Sequence, residues 1–297
     1  MMLEFNIILG LFGLGIVIGA TSPTFGIGGG LLTVPALLLI YGQRYGFTGE
    51  TATATSLGVI IFTSLGGTIA YIREKRIDFK VASLFMLFAI PGSVSGALFS
   101  RWMGAKDFSF DPFQYTFAGV MIAIALYKLV SILKGRGGKT EGTDRQADGM
   151  PDGPVSQKSV LVRRLVDRRG IEFEYTVCLF PGVFIAFAGG FLGAMLGLGG
   201  GVVYVAILAM ALGVPTVIAT ATSTFTILVA NPFAVALRFS SIEWGWVVAL
   251  AAGTIISASI VPRFLHRVRS EWILTGFWTI AILAAVRLLL KVSGVMI

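Results

Sequence analysis

Apolar residues run in long blocks along this chain of 297 residues instead of alternating with polar ones. Ten blocks can be distinguished, five before a polar centre and five after it. Most approach the length of about 20 residues that a helix needs to cross the hydrocarbon core of a bilayer. The pattern predicts an all-α integral membrane protein with about five hydrophobic helical segments in each half. The approximate limits of the blocks are 5–21, 27–41, 51–72, 80–100, 113–133, 175–196, 200–213, 216–238, 244–262 and 271–292.

The composition strengthens this prediction. Hydrophobic residues make up 56% of the chain and charged residues 13%, whereas a soluble domain carries about 25% charged residues. A soluble globular protein is therefore excluded. The net charge of +8 does not indicate nucleic-acid binding, because the basic residues lie in short loops and in the polar centre. There they are expected to contact anionic lipid head groups and to set the topology.

The polar centre, residues 134–174, is predicted to be a linker between a first transmembrane repeat, 1–133, and a second, 175–297. Up to about residue 154 it is rich in Gly, Asp and Pro, which is typical of a flexible segment. Residues 160–169 instead interleave apolar residues with four arginines. That part is interpreted either as a short amphipathic helix on the membrane surface or as a solvated charge cluster.

The two halves carry the same motifs in the same order, which indicates an internal duplication. The matched stretches are 26–31 with 197–202 (GIGGGL and GLGGGV), 52–56 with 219–223 (ATATS in both), and 77–79 with 242–244 (IDF and IEW). Arg73 and Lys128 match Arg238 and Arg287. An odd number of crossings in each half would turn the second copy upside down, so the fold is predicted to consist of two inverted repeats.

Basic residues are concentrated in three stretches that ten crossings place on one side of the membrane: 73–80, 134–169 and 263–269. The positive-inside rule makes this side the cytoplasm, with the linker inside and both termini outside. Glu4 replaces the basic region of a signal peptide, so the first block is expected to stay as a membrane segment. If each glycine-containing pair of blocks forms one interrupted crossing or a re-entrant hairpin, the asymmetry of charge remains.

Three consecutive glycines occupy matching places in the two halves: Gly28, Gly29 and Gly30, and Gly199, Gly200 and Gly201. Each glycine costs a helix interior about 1 kcal/mol relative to alanine, so both triplets predict an interrupted helix near the midplane. A broken backbone at that depth is tolerated where protein encloses it or where it lines a wet cavity. The helices that follow would direct free N–H groups inward, which favours an anion site. Close helix packing through small residues is the alternative.

Polar side chains near these triplets add further candidate ligands for the anion: Thr55, Ser56, Thr222, Ser223 and Asn231. Hydrogen bonds to their own helix are the alternative for the hydroxyl groups. Arg73 and Arg238 could draw anions to the two mouths of a pathway, with lipid contact or helix capping as the default interpretation for both.

The predicted membrane segments have no Asp or Glu in their middles. Proton-coupled carriers usually place a carboxylate or histidine there, so an acid-free interior favours an anion as substrate. The sequence has no nucleophile–base set and no phosphate-binding loop within a βαβ unit, which argues against an enzyme. One cysteine, Cys178, and one histidine, His266, cannot form a metal site, and no cofactor is expected.

Around the glycine repeats the sequence resembles the sulfite exporter TauE/SafE family of membrane permeases. The resemblance rests on GIGGGLLTVPALLLIYG at 26–42 with TATATS at 51–56, and on GLGGGVVYVAILAMALGVP at 197–215 with ATATS at 219–223. It covers nearly the whole chain apart from the linker. It implies transport of sulfite, sulfoacetate or other sulfonates across the bacterial inner membrane.

The leading hypothesis is therefore a multi-pass exporter of small sulfur-containing anions that works by alternating access of its two repeats. An anion channel and a non-transporting subunit of a membrane complex remain as alternatives. The sequence is compatible with a homo-oligomer and does not decide the number of copies.

Overall fold

The computed structural model describes residues 5–25, 28–105, 119 and 160–264. This part of the chain is mostly helical. Its helices are α1 (Phe5–Phe25), α2 (Gly30–Ala36), α3 (Gly42–Tyr45), α4 (Gly49–Arg73), α5 (Phe79–Ala105), α6 (Leu179–Met195), α7 (Gly201–Ala206), α8 (Thr216–Leu237) and α9 (Trp244–Phe264). A π-helical turn, Leu37–Tyr41, joins α2 to α3, and a second one, Ile207–Ala211, follows α7. Two strands, β1 (Val160–Val166) and β2 (Glu172–Cys178), form an antiparallel hairpin.

Four helices within the described ranges are long and apolar enough to cross a membrane. The spanning stretches are Phe5–Ser22, Gly49–Arg73, Phe79–Met103 and Thr216–Leu237. Shorter apolar stretches, Ala186–Met195 and Trp244–Ile260, lie in α6 and α9. The predicted blocks 113–133 and 271–292 lie outside the described residues, so the count of ten segments and the inverted arrangement stay predictions. The prediction of a helical membrane protein is confirmed.

The helix limits follow from local sequence. Thr48 and Thr51 form a capping box at the start of α4, in which each side chain accepts a hydrogen bond from the other residue's backbone N–H. Asp78 caps α5, since its Oδ1 accepts hydrogen bonds from the N–H groups of Lys80 and Val81 at 3.0 and 3.1 Å. These caps satisfy N–H groups that the first turn of a helix leaves without partners.

The helix of the first apolar block of each half packs against the helix of the fourth apolar block of the other half. α1 lies along α9, where Gly15 contacts Leu250 and Gly19 contacts Thr254, so these two helices run in the same direction. α5 lies along α6 in the same way, and Gly92 and Gly96 of α5 meet Phe187 and Phe191. A methyl group at any of the four glycines would collide with a backbone carbonyl. Close backbone approach through small residues therefore holds both helix pairs together.

The hairpin corrects the interpretation of residues 160–169, which form β1 and its turn, not an amphipathic helix. The stretch is rich in β-branched residues, and side chains of a strand alternate between two faces. Arg163 pairs with Tyr175 across the hairpin, and Tyr175 and Val177 are buried. Exposure alternates along β1 as a strand requires, since Arg163 and Leu165 are partly buried whereas Val162 and Val166 are exposed. The membrane block predicted from residue 175 begins as strand β2, its helix starts at Leu179, and the proposed linker boundary at 174 falls inside β2.

Candidate functional site

The two glycine triplets form equivalent breaks in the helical backbone. Gly28 and Gly29 have φ angles of 76° and 90°, and Gly199 and Gly200 have φ angles of 68° and 79°. These are left-handed conformations that side chains rarely adopt, which explains why glycine occupies them. α2 and α7 then begin at Gly30 and Gly201 without a side-chain cap. The predicted interruption of the helices is confirmed at both triplets.

The two breaks lie against each other. A methyl group on Gly30 would collide with the carbonyl oxygen of Gly197. The Cβ position of Gly28 would lie 3.4 Å from the side chains of both Ile60 and Ile227. These isoleucines occupy matching positions in α4 and α8, so each half contributes one wall. The glycine breaks therefore meet between α4 and α8, in the interior of the described structure.

Thr55 and Thr222 hold equivalent loops rather than facing the breaks with free hydroxyls. The Thr55 Oγ1 accepts a hydrogen bond from the N–H of Glu243 at 3.1 Å. The Thr222 Oγ1 accepts one from the N–H of Asp78 at 3.2 Å. In each case a threonine of one half binds a residue at the start of a helix of the other half, α9 for Thr55 and α5 for Thr222. One bond joins the first part of α4 to the loop that follows α8, and the other joins the first part of α8 to the loop that follows α4. The helices α4 and α8 therefore run in opposite directions.

The two candidate serines differ in their contacts. Ser56 donates a hydrogen bond of 2.7 Å to the carbonyl oxygen of Gly197, which ties α4 to the second glycine break. Ser223 donates to the carbonyl oxygen of Thr220 in its own helix at 2.9 Å. The structure therefore brings Ser56 to the breaks, whereas the Ser223 hydroxyl makes the local bond that was the alternative interpretation.

Asn231 is the candidate side chain best placed to meet a ligand. It is 2% exposed, and its Nδ2 has no hydrogen-bond partner in the described structure. That nitrogen would lie 2.7 Å from a Cβ on Gly199, so it points at the second glycine break. Ser64 occupies the matching position in α4 and donates to the Ile61 carbonyl oxygen of its own helix at 3.0 Å. Buried amide donors are nearly always paired, so the Asn231 amide is available for a bound molecule.

For Arg238 the sequence favoured lipid contact or helix capping, with a role at a mouth of the pathway as the alternative, but the structure buries it. The residue is 1% exposed. Its Nη2 donates to the carbonyl oxygen of Glu50 and to the Thr53 Oγ1, both at 2.8 Å. Burial lowers the pKa of the guanidinium to about 10, so it stays protonated at neutral pH. The matching residue of the first half, Arg73, is exposed, and no signal in the sequence separates the two.

A second polar cluster joins the hairpin to the loop between α4 and α5. Arg163 donates to both carboxylate oxygens of Asp78 at 2.8 and 2.7 Å, and the Tyr175 hydroxyl donates to the same carboxylate at 2.6 Å. Arg76 forms an ion pair of 3.1 Å with Asp167 of the hairpin turn. Burial alone would raise the pKa of the Asp78 carboxyl, but the hydrogen bonds from Arg163 and Tyr175 outweigh it and keep the pKa below its usual value.

Within the described ranges no group of three or more His, Cys, Asp or Glu side chains is arranged to hold a metal ion. The predicted site is built from backbone, amide and hydroxyl groups.

Comparison with known proteins decides the family. The family described as "Sulfite exporter TauE/SafE" matches residues 11–288. The chain belongs to the TauE/SafE family. The match includes both glycine breaks, both ATATS motifs and the hairpin, so the resemblance inferred from the repeats is confirmed.

Curated relatives of this TauE/SafE protein are named as transporters. The chain is 30% identical over 242 residues to the "Probable membrane transporter protein YunE" of Bacillus subtilis (strain 168), a match that covers 80% of each chain. It is 32% identical over 126 residues to the "Probable membrane transporter protein YdhB" of the same strain, covering 42% of this chain and 46% of the relative. A "Probable membrane transporter protein" of Xylella fastidiosa (strain 9a5c) is 33% identical over 112 residues, 38% of this chain and 40% of the relative. No solved structure matches.

Proposed function

We propose that this TauE/SafE protein exports small sulfur-containing anions, such as sulfite, sulfoacetate or other sulfonates, across the bacterial inner membrane. The observation that carries the proposal is the meeting of the two glycine breaks between α4 and α8, with the unpaired amide of Asn231 directed at one of them. The anion would bind there to the Asn231 amide and to backbone N–H groups at the starts of α2 and α7.

The electrostatics of the described helices favour an anion over a cation. α1, α5, α6, α8 and α9 contain no Asp or Glu, and α4 has only Glu50, in its first turn. An interior with unpaired donors and without carboxylates stabilises negative charge. The interior-negative membrane potential then drives a monovalent anion outward by about 2.3 kcal/mol per 100 mV. Export needs no coupled ion under these conditions.

The proposed mechanism is alternating access of two inverted repeats. It is supported by the equivalent bonds of Thr55 and Thr222, by the opposite directions of α4 and α8, and by the contacts of α1 with α9 and of α6 with α5. Two halves with equivalent but reversed contacts can exchange their conformations, which would open the midplane site to one side and then to the other.

Radiolabelled sulfoacetate and sulfite flux into proteoliposomes tests the proposal. N231A should lower the rate and raise the KM for sulfoacetate, because a donor of the site is lost. S64A, the matching position in α4 whose hydroxyl bonds its own helix, should transport like the wild-type protein. Substitutions of the glycines themselves are poor probes, because their left-handed φ angles and close contacts would disturb folding.

If neither sulfite nor sulfoacetate is transported, the assignment of the substrate is overturned. Equal losses in N231A and S64A would overturn the assignment of the site. Exchange stimulation, in which internal sulfoacetate accelerates uptake of the label, distinguishes a carrier from an anion channel. Transport that survives deletion of residues 140–158 would rule out the remaining alternative, a non-transporting subunit that uses the linker for docking.

A further inference from the structure

We propose that Arg238 forms an anion-binding position of its own, next to the second glycine break, that takes a sulfonate, sulfite or carboxylate group. The inference rests on the proposed function, since it gives the transported oxyanion a cationic binding group. Arg238 lies at the end of α8, beside the start of α4. Arg238 would then help select oxyanions among the available anions.

The first observation is a buried cation that forms no ion pair in the described part of the chain. Both hydrogen bonds of Arg238 go to neutral acceptors, the Glu50 carbonyl and the Thr53 hydroxyl. Its Nε and Nη1 have no hydrogen-bond partner in the described part of the chain. No ion pair within that part includes Arg238, and the Glu50 carboxylate accepts a hydrogen bond from the Ser241 hydroxyl at 2.9 Å. Burial lowers the pKa of the guanidinium, and the Glu50 carboxylate raises this pKa without forming an ion pair with it. A buried charge is costly unless it is paired, and a bound oxyanion supplies acceptors for Nε and Nη1.

The two ordinary explanations for a basic residue at a helix end do not hold for Arg238. It does not contact lipid, because it is 1% exposed. Its side chain does not cap the end of α8, because the Leu237 carbonyl receives its hydrogen bond from Arg101 of α5, at 3.3 Å. Nor does the duplicated fold require a buried guanidinium at this place, because the matching Arg73 is exposed.

The position of Arg238 connects it to the proposed site. Arg238 follows Asn231 by seven residues, so the two lie near the same face of α8, about 10 Å apart along the helix axis. Thr53 links Arg238 to the glycine break: its hydroxyl accepts from Arg238, and its Cα would lie 2.7 Å from a Cβ on Gly197. Arg238 is therefore connected through Thr53 to the backbone of the second glycine break, against which the Asn231 amide also lies.

Oxyanions are the class that fits these donors. The unpaired Nε and Nη1 carry N–H groups, and guanidinium groups form charge-assisted hydrogen bonds with carboxylate, phosphate and similar oxygens. A lysine keeps the charge but loses the planar arrangement of donors. R238K should therefore retain attraction for anions and lose part of the preference for oxyanions over chloride.

The experiment measures binding separately from transport. Purified full-length protein is titrated by calorimetry with sulfoacetate, with inorganic sulfate and with chloride, for the wild type, R238Q, R238K and R73Q. R238Q should weaken sulfoacetate binding by at least about tenfold, R238K should weaken it less, and R73Q should bind like the wild type. Thermal unfolding without added anion should show R238Q to be no less stable than the wild type, because the substitution removes an unpaired buried charge.

The outcomes separate the two proposals. If wild-type protein transports sulfoacetate and R238Q binds and transports it with unchanged affinity and KM, the Arg238 position is wrong and the proposed function stands. If sulfoacetate is not transported but sulfate binds and R238Q abolishes that binding, the position stands and the proposed substrate is wrong. Should R238Q fail to fold, R238K decides: sulfoacetate affinity and selectivity over chloride equal to the wild type would overturn the inference.

Discussion

Replacement of Arg163 by methionine should release the hairpin from the membrane helices. Arg163 holds Asp78 through two hydrogen bonds, and the Asp78 side chain is fully buried while 18% of the Arg163 side chain is exposed. Removal of one partner of a buried ion pair leaves the other charge uncompensated and costs about 3–5 kcal/mol. Because Arg163 keeps some contact with water, we expect a loss of about 3 kcal/mol, which corresponds to roughly a 100-fold rise in the population of the opened hairpin.

Hydrogen–deuterium exchange of the purified protein in detergent measures this population directly. Amides of β1 and β2 should exchange about 100 times faster in R163M, since exchange from a locally opened segment reports its opening free energy. Y175F removes one hydrogen bond to the Asp78 carboxylate and should accelerate exchange by about tenfold or more. The two effects should not add, because both side chains bind the same carboxylate.

R164M is the matched control on the neighbouring residue of β1. Arg164 pairs with Glu172 across the hairpin, and both side chains are exposed. A surface pair of this kind contributes little to stability, so exchange in R164M should match that of the wild type. Unchanged exchange in R163M, or equal acceleration in R163M and R164M, would refute the reasoning that Asp78 anchors the hairpin.

Three further predictions concern the helices and their loops. T55V and T222V should each lower the free energy of unfolding by about 1–3 kcal/mol, and by similar amounts, because each leaves an equivalent backbone N–H without its acceptor; detergent thermal unfolding that affects only one variant would contradict the equivalence. G30A should abolish the monodisperse peak in size-exclusion chromatography, because its methyl group meets a backbone carbonyl, whereas G13A, with nothing within 4 Å, should keep it. The folded pKa of Asp78 is lowered, so the stabilisation by its ion pair is complete above the pKa of about 3.9 of a free aspartate and is lost as the pH falls through the lower folded value. Pepsin should cut the hairpin increasingly as the pH falls below about 4, and cleavage of the hairpin that does not change with pH in this acid range would contradict this.

The membrane helices followed closely from the sequence where an apolar run has clear end signals. The block predicted at 216–238 forms α8, Thr216–Leu237, and the block predicted at 51–72 forms α4, Gly49–Arg73. Proline and a capping threonine mark these starts, and both signals are local. The hairpin was missed because the apolar and basic residues of β1 come in short runs, VLVRRLV, instead of alternating, so the period of two that marks a strand is absent.

Only the backbone features of the site could be predicted from the sequence. The glycine triplets are contiguous in sequence and break the helices where expected, since left-handed backbone needs glycine. The partners of Thr55 and Thr222 lie far away in the chain, so the choice between a ligand and a loop contact required the tertiary structure. The same holds for Arg238 and Arg73, whose sequence surroundings match while their burial differs.

The packing of α1 against α9 and of α5 against α6 has a consequence for how the protein is made. When α1 to α5 have been synthesised, the glycine faces around Gly15 and Gly92 still lack the helices against which they pack, because α6 and α9 come later in the chain. The first half can therefore insert into the membrane but cannot complete its interior alone. Contacts between helices so distant in sequence form late, and a chain stopped after α5 would expose these faces to quality-control proteases. Synthesis of the second half supplies both missing partners, α6 for α5 and α9 for α1.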